Sequence, residues 1–170
     1  MIAPIVRHIL IGLLLIVLQV FIFENIYLQR FVHTYPYILA ILFLPYLWPQ
    51  WAVLIYSFIL GLGIDFFKDT LGLHAGAAVF LALVRKILLD SLPTEMEMLG
   101  NAEPHLTAMG FRSFIIYITL GTFLHHLALY SLEAFDIAHY QHVLVVSVFS
   151  SLVSMAIIIL VEFLFFFRRG

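Results

Sequence analysis

The stretch Leu60–Arg85, LGLGIDFFKDTLGLHAGAAVFLALVR, decides how this chain is read. An apolar run ends in Gly61, Gly63 and Asp65. A polar knuckle follows at Lys68, Asp69 and Thr70, and a second apolar run opens with Gly72 and Gly76. With a helix running from about 51 to 69, Gly61, Asp65 and Asp69 fall four apart on one face, and Lys68 lies three after Asp65, the spacing of an ion pair. Gly61 lets a neighbouring helix approach closely. Gly72 and Gly76 make a G-x-x-x-G on a following helix over about 71–89, and Ala78 and Ala82 extend its small residues, the pattern of close helix packing in membranes. Two roles stand open for Asp69 and Thr70: capping the second helix, or a functional site. For Asp65 a specific role is expected, because an ionisable group after so long an apolar run is costly at membrane depth.

Composition sets the surroundings of this stretch. Of 170 residues, 64% are hydrophobic and 11% charged, with a mean hydropathy of +1.12. Soluble domains carry about 25% charged residues, so the chain is expected to be an all-α integral membrane protein. A net charge of −2 gives no argument for nucleic acid, and without cysteine there is no disulfide frame, thiol nucleophile or Cys-ligated metal. The first apolar run, Ile9 to Phe23, leads into Glu24 and Asn25 without a small-x-small cleavage site, so it is expected to stay as a helix.

Outward from the knuckle, about six transmembrane helices are expected, over 5–23, 35–48, 51–67, 71–89, 111–132 and 143–167, forming a single polytopic domain. The first aligns His8, Gly12, Leu15 and Gln19, with Gln19 expected as an interhelical hydrogen-bond donor. The second, bounded by Pro36 and Pro49 and carrying Pro45, is short for a bilayer that takes about 20 residues; it starts earlier, is tilted, or crosses a thinned region. Tyr46, Trp48, Trp51 and Tyr56 suit an interfacial belt. The connection Asp90–Gly110 holds Glu95, Glu97 and Glu103 and is expected to be a loop. The fifth helix aligns Tyr117, Gly121 and His125, with His126 and Tyr130 on the adjacent stripe. The sixth aligns Ser147, Ser150, Ser151 and Ser154 and reaches Glu162, a face that can hydrogen-bond across helices. The chain ends at Arg168-Arg169-Gly170, and nothing sizeable is expected outside the membrane.

With both termini in the cytoplasm, Arg7, Arg85, Lys86, Arg112, Arg168 and Arg169 lie inside and Arg30 and Lys68 outside, the expected direction of basic bias. The knuckle then faces outward. His125 and His126, with Glu133, His139 and His142, are the best metal candidates, yet adjacent histidines on a helix diverge by about 100° and the H-E-x-x-H motif is absent. No P-loop, G-x-S-x-G or dinucleotide fingerprint occurs. Asp65, Asp69 and His74 offer a thin carboxylate and imidazole set for a lipid-modifying enzyme. Asp65, Gln19 and the serine stripe could line a transport cavity, though no inverted repeat is visible. No catalytic, cofactor or metal residue is assigned.

Gly61-Leu-Gly-Ile-Asp65, then Thr70-Leu71-Gly72, His74, Gly76 and Arg85, together with Gly110-Phe-Arg-Ser-Phe114 leading to His125-His126, resemble the bacterial rod shape-determining MreD family, in a Bacteroidetes-like form. The resemblance covers nearly the whole chain. It implies a non-enzymatic inner-membrane protein of the cell-elongation machinery, with MreC as direct partner and with MreB, RodA and penicillin-binding protein 2 linked through it. It also implies a fold like the substrate-binding membrane component of ECF vitamin transporters, and Gly61, Asp65, Asp69, Gly72 and Gly76 as the structural or interaction motif. The alternative is a small-molecule-binding subunit of an ECF-type transporter. The high Phe and Tyr content and the acidic connection before Gly110 depart from many relatives.

Overall fold

The computed structural model describes residues 2–25, 33–93, 103–134 and 140–165. Arg30, Glu95, Glu97, Asp136, His139, Arg168 and Arg169 lie outside them. Every regular element among the described residues is helical: α1 (Ile2–Phe21), a 3-10 turn (Phe23–Asn25), α2 (Ile38–Leu42), α3 (Gln50–Lys68), α4 (Leu73–Ser91), α5 (Leu106–Met109), α6 (Phe111–Ala134) and α7 (Tyr140–Phe165). Among the described residues three helices are long and apolar enough to cross a membrane: Gln50–Lys68, Phe111–Ala134 and Tyr140–Leu164. α4 matches α3 in length but carries Arg85, Lys86 and Asp90. Large apolar side chains cover the outward faces of α1, α3 and α7, an arrangement consistent with a helical membrane protein.

α1 and α3 run side by side in the same direction. Gly12 sits over Tyr56 and Leu60, Gly63 over Ile16, the Phe21 and Phe67 rings are 6.4 Å apart, and Lys68 Nζ lies 2.9 Å from Glu24. Two parallel neighbours need a connection that travels back along the bundle, and residues 33–49 make that return.

Here the structure corrects the sequence reading. The expected helix over 35–48 is helical only from Ile38 to Leu42. Pro36 occupies the turn before it. Pro45 lacks an N–H to continue the helical ladder and disfavours the α conformation at Leu44, so the helix stops at Leu42. The segment is nonetheless the centre of the core: Tyr37, Ile38, Ile41, Leu42 and Leu44 have no exposed surface. α4, α6 and α7 pack around it, and Gly121 of α6 leaves room for the Leu42 side chain, whose Cδ2 is 2.8 Å from where a Cβ would stand. Irregular backbone buried this completely needs the surrounding protein to pair its polar groups.

Candidate functional site

α3 ends because Asp69 takes a left-handed conformation, φ 55°, and the chain re-enters a helix after Gly72, φ 84°. The turn between them brings the first residues of α4 onto the last turns of α3. Gly61 is the point of closest approach. A Cβ there would stand 2.6 Å from Ala75 Cα and 2.6 Å from the His74 carbonyl oxygen, both backbone atoms.

That approach carries the Asp65 carboxylate to the N-terminus of α4. Asp65 Oδ1 accepts from the His74 N–H at 3.0 Å and from the Thr70 hydroxyl at 2.5 Å; Oδ2 accepts from the Ala75 N–H at 2.9 Å. His74 and Ala75 are the second and third residues of α4, the positions an N-cap side chain normally serves. Gly72, at the cap position itself, has no side chain to serve them. Asp65 therefore caps α4 from the preceding helix, where the N–H groups without an intrahelical partner and the helix dipole favour an acidic group. It is 3% exposed.

The motif residues thus divide. Gly61 and Asp65 are brought together inside the hairpin. Asp69 does not share their face: it is exposed beyond the end of α3, and neither it nor Thr70 caps α4. The expected Lys68–Asp65 pair is absent, and Lys68 reaches Glu24 instead. Gly72 lies before α4 and serves its turn. The packed small face of α4 is Ala75, Ala78 and Ala82, all buried. Gly76 faces outward, where a Cβ would meet only Leu132 Cδ1, at 3.1 Å. Around it lies an open furrow of about 930 Å³ between α3 and α4, bordered by Phe58, Leu62, Phe66 and Leu71, with Asp65, Asp69 and Thr70 at its knuckle end.

A second polar system serves residues 33–44. The His33 N–H donates to Ser150 Oγ at 3.3 Å and the Tyr35 N–H to Ser154 Oγ at 3.2 Å. Gln19 Nε2 donates to the Thr34 carbonyl at 3.0 Å. The Leu42 carbonyl accepts from the Tyr117 hydroxyl at 2.7 Å and from Arg85 Nε at 3.5 Å, and the Leu44 carbonyl accepts from the other end of the Arg85 guanidinium. Arg85, counted from sequence among the inside basic residues at the end of the helix over 71–89, is 1% exposed and acts as a cap on the broken helix.

The histidines are divided in the same way. His125 Nε2 is 2.7 Å from the Tyr37 hydroxyl, which lies 3.3 Å from His74 Nδ1. His126 turns away to the Thr122 carbonyl, 2.7 Å, and to Ser154 Oγ, 3.3 Å. The His74 ring packs on Tyr35 and Tyr37, so Asp65, Asp69 and the His74 imidazole do not converge on one point. Among the described residues no three His, Asp or Glu side chains are arranged to hold a metal ion.

A third polar cluster, not singled out in the sequence, closes the end of the bundle near Arg7. Glu103 receives Arg7 and lies 3.1 Å from His105 Nε2. His105 Nδ1 is 2.9 Å from Glu162, and Glu162 also accepts the Leu106 N–H at 2.8 Å. Its members come from α1, the connection before α5, and α7. In the sequence Glu103 reads only as a loop acid and Glu162 only as the end of a serine-bearing stripe, with nothing to join them.

No family model, no curated protein and no solved structure matches this chain.

Proposed function

We propose that this protein is a non-enzymatic scaffold of the bacterial inner membrane. It acts as an MreD-type component of the cell-elongation complex that binds MreC and helps couple MreB filaments to RodA and penicillin-binding protein 2. In this reading the bundle crosses the membrane six times, with residues 33–49 as the second crossing and both termini cytoplasmic, as in the membrane component of ECF transporters. The parallel run of α1 and α3 supports that count. With Arg85 buried, the basic bias becomes Arg7, Lys86, Arg112, Arg168 and Arg169 inside against Arg30 and Lys68 outside, still in the same direction.

The observation that carries the scaffold reading is the division of the glycines. Gly61 is consumed by the α3–α4 contact, while Gly76 stands on the outer surface of the hairpin in a furrow that is apolar along α3 and polar only at its knuckle end. A small residue exposed among Phe58, Leu62 and Phe66 suits a partner helix, because helix association in lipid depends on close packing. Asp65 fits the same reading. Both of its oxygens are engaged by the fold, so its work is to hold the hairpin that presents the furrow.

The test is affinity purification in mild detergent from cells that co-express an MreC protein. Gly76→Leu fills the furrow from the outside and is expected to abolish co-purification while the bundle melts normally. Recovery of MreC at the unaltered level with Gly76→Leu and with Leu62→Trp would overturn this assignment of the surface. A small molecule held stoichiometrically in native mass spectrometry, with dependence on an ATPase module, would favour the transporter-subunit reading instead.

A further inference from the structure

A second furrow lies on the other side of α3, between it and α1, and its chemistry differs from that of the hairpin. It encloses about 790 Å³ and is lined by α1 from Ile5 to Ile16 and by the chain from Leu47 to Leu60, with Gly12, Ala52 and Leu60 among its lining. Among the described residues no charged side chain lines it. The Tyr56 hydroxyl is already spent on the His8 carbonyl at 2.9 Å. At one end stand Trp48 and Trp51, with Trp48 held edge-on by His8 at 5.2 Å. At the other end the furrow closes, where Ile16 fills the space beside Gly63 and Phe21 meets Phe67.

Length decides what fits. From Ile5 to Ile16 the furrow runs about 17 Å at 1.5 Å per helical residue, against a hydrocarbon thickness of ~30 Å. It therefore begins at the aromatic belt, where tryptophans sit at headgroup level, and stops near mid-bilayer. A partner helix that crosses the membrane would leave the furrow halfway and ride over the closed α1–α3 contact. A chain that belongs to one leaflet has the matching length, polarity and point of entry. We infer that the α1–α3 furrow is a lipid site that holds an acyl chain of a phospholipid from the leaflet at the Trp48–Trp51 end. The bound lipid fills the gap along a helix, α1, that otherwise leans mainly on α3. This site is separate from the partner surface at Gly76 and stands whether or not that surface binds MreC.

The chain has two tryptophans, and both line the furrow, so intrinsic fluorescence reads it directly. The full-length protein in detergent is titrated with phosphatidylethanolamine carrying brominated acyl chains. Quenching is expected to saturate at one lipid per chain. Ala52→Phe, which occupies the floor, is expected to raise the midpoint about tenfold, the loss of roughly two buried methylenes, whereas Leu14→Phe on the opposite side of α1 leaves it unchanged. Native mass spectrometry should find one retained phospholipid in the unaltered protein and in Leu14→Phe but none in Ala52→Phe. Circular dichroism melting checks that both variants fold. If Ala52→Phe unfolds, Ile55→Phe at the furrow's edge takes its place. Quenching that grows without saturation, or an equal midpoint in the filled and control variants, overturns the inference. So does a photo-crosslinker at Ile55 that captures a protein helix in membranes rather than lipid.

Discussion

The α3–α4 knuckle and the broken segment 33–45 solve the same problem with different reach. Each contains helix ends buried away from water, and each satisfies its backbone with side chains from elsewhere. At the knuckle the donors and acceptor are close in sequence: Asp65 serves His74 and Ala75, nine and ten residues on. In the broken segment the partners are Arg85 and Tyr117 for Leu42, and Ser154 for Tyr35, at separations of 43, 75 and 119 residues. The first is a local device completed as soon as two helices fold back. The second exists only once α4, α6 and α7 have assembled around it.

If that contrast is right, the knuckle is the more brittle of the two, because backbone faces backbone there. The largest effect is expected for Gly61→Ala. Its methyl would press on Ala75 Cα and the His74 carbonyl, which cannot move without moving α4, so a loss of about 3 kcal/mol is expected, the upper range of overpacking. Gly63→Ala meets only the end of the Ile16 side chain and should cost under ~1 kcal/mol. Thermal melts in detergent compare the two, and equal costs would remove the special place given to Gly61. Asp65→Ala follows, with about 2–3 kcal/mol expected from two orphaned N–H groups and a lost cap. Asp65→Asn, which keeps one acceptor oxygen, should fall between it and the unaltered protein.

The same difference in reach explains what was legible. The five long helices could be drawn from hydropathy alone, and Gly61 and Asp65 stood out because the pair that contacts them lies within one hairpin. The direction of Asp65's contacts was not legible. Helical spacing offered Lys68 three residues on, but Lys68 snorkels towards Glu24, and the N-terminus of α4, a feature of backbone rather than of residue type, takes the carboxylate. Gly72 and Gly76 read as one packing stripe, although a left-handed turn at Gly72 places the helix start between them. Residues 35–48 read as a short crossing helix because apolar content says nothing about how Pro36 and Pro45 divide it. Arg85 read as an inside charge at a helix end because its acceptors, the Leu42 and Leu44 carbonyls, are created only by that break.

Arg85 therefore tests the long-range half of the comparison. Arg85→Leu conserves burial but leaves the Leu44 carbonyl without the guanidinium, while Leu42 keeps Tyr117. A loss of about 2 kcal/mol is expected, within the range for one orphaned buried carbonyl. The effect should appear as faster amide exchange across Ile38–Leu44, with the α3–α4 knuckle unaffected. Exchange that rises first at His74 and Ala75 would mean that the two regions are one cooperative unit.

The smallest effect is expected at Gln19, and it separates a bond that matters from one that merely exists. Gln19 Nε2 donates to the Thr34 carbonyl, yet its Oε1 is buried with no hydrogen-bond partner among the described residues. Gln19→Met deletes a neutral hydrogen bond and leaves the buried Thr34 carbonyl without its donor, and at the same time removes an orphaned acceptor, Oε1, whose burial costs a similar amount, about 1–3 kcal/mol each. The two nearly cancel, so the melting temperature should move less than in any variant above, and in either direction. A loss as large as that of Arg85→Leu would mean that residue 19 holds the start of the broken segment as firmly as Arg85 holds its end. The return through the bundle would then be anchored at both ends rather than at the Leu42–Leu44 carbonyls.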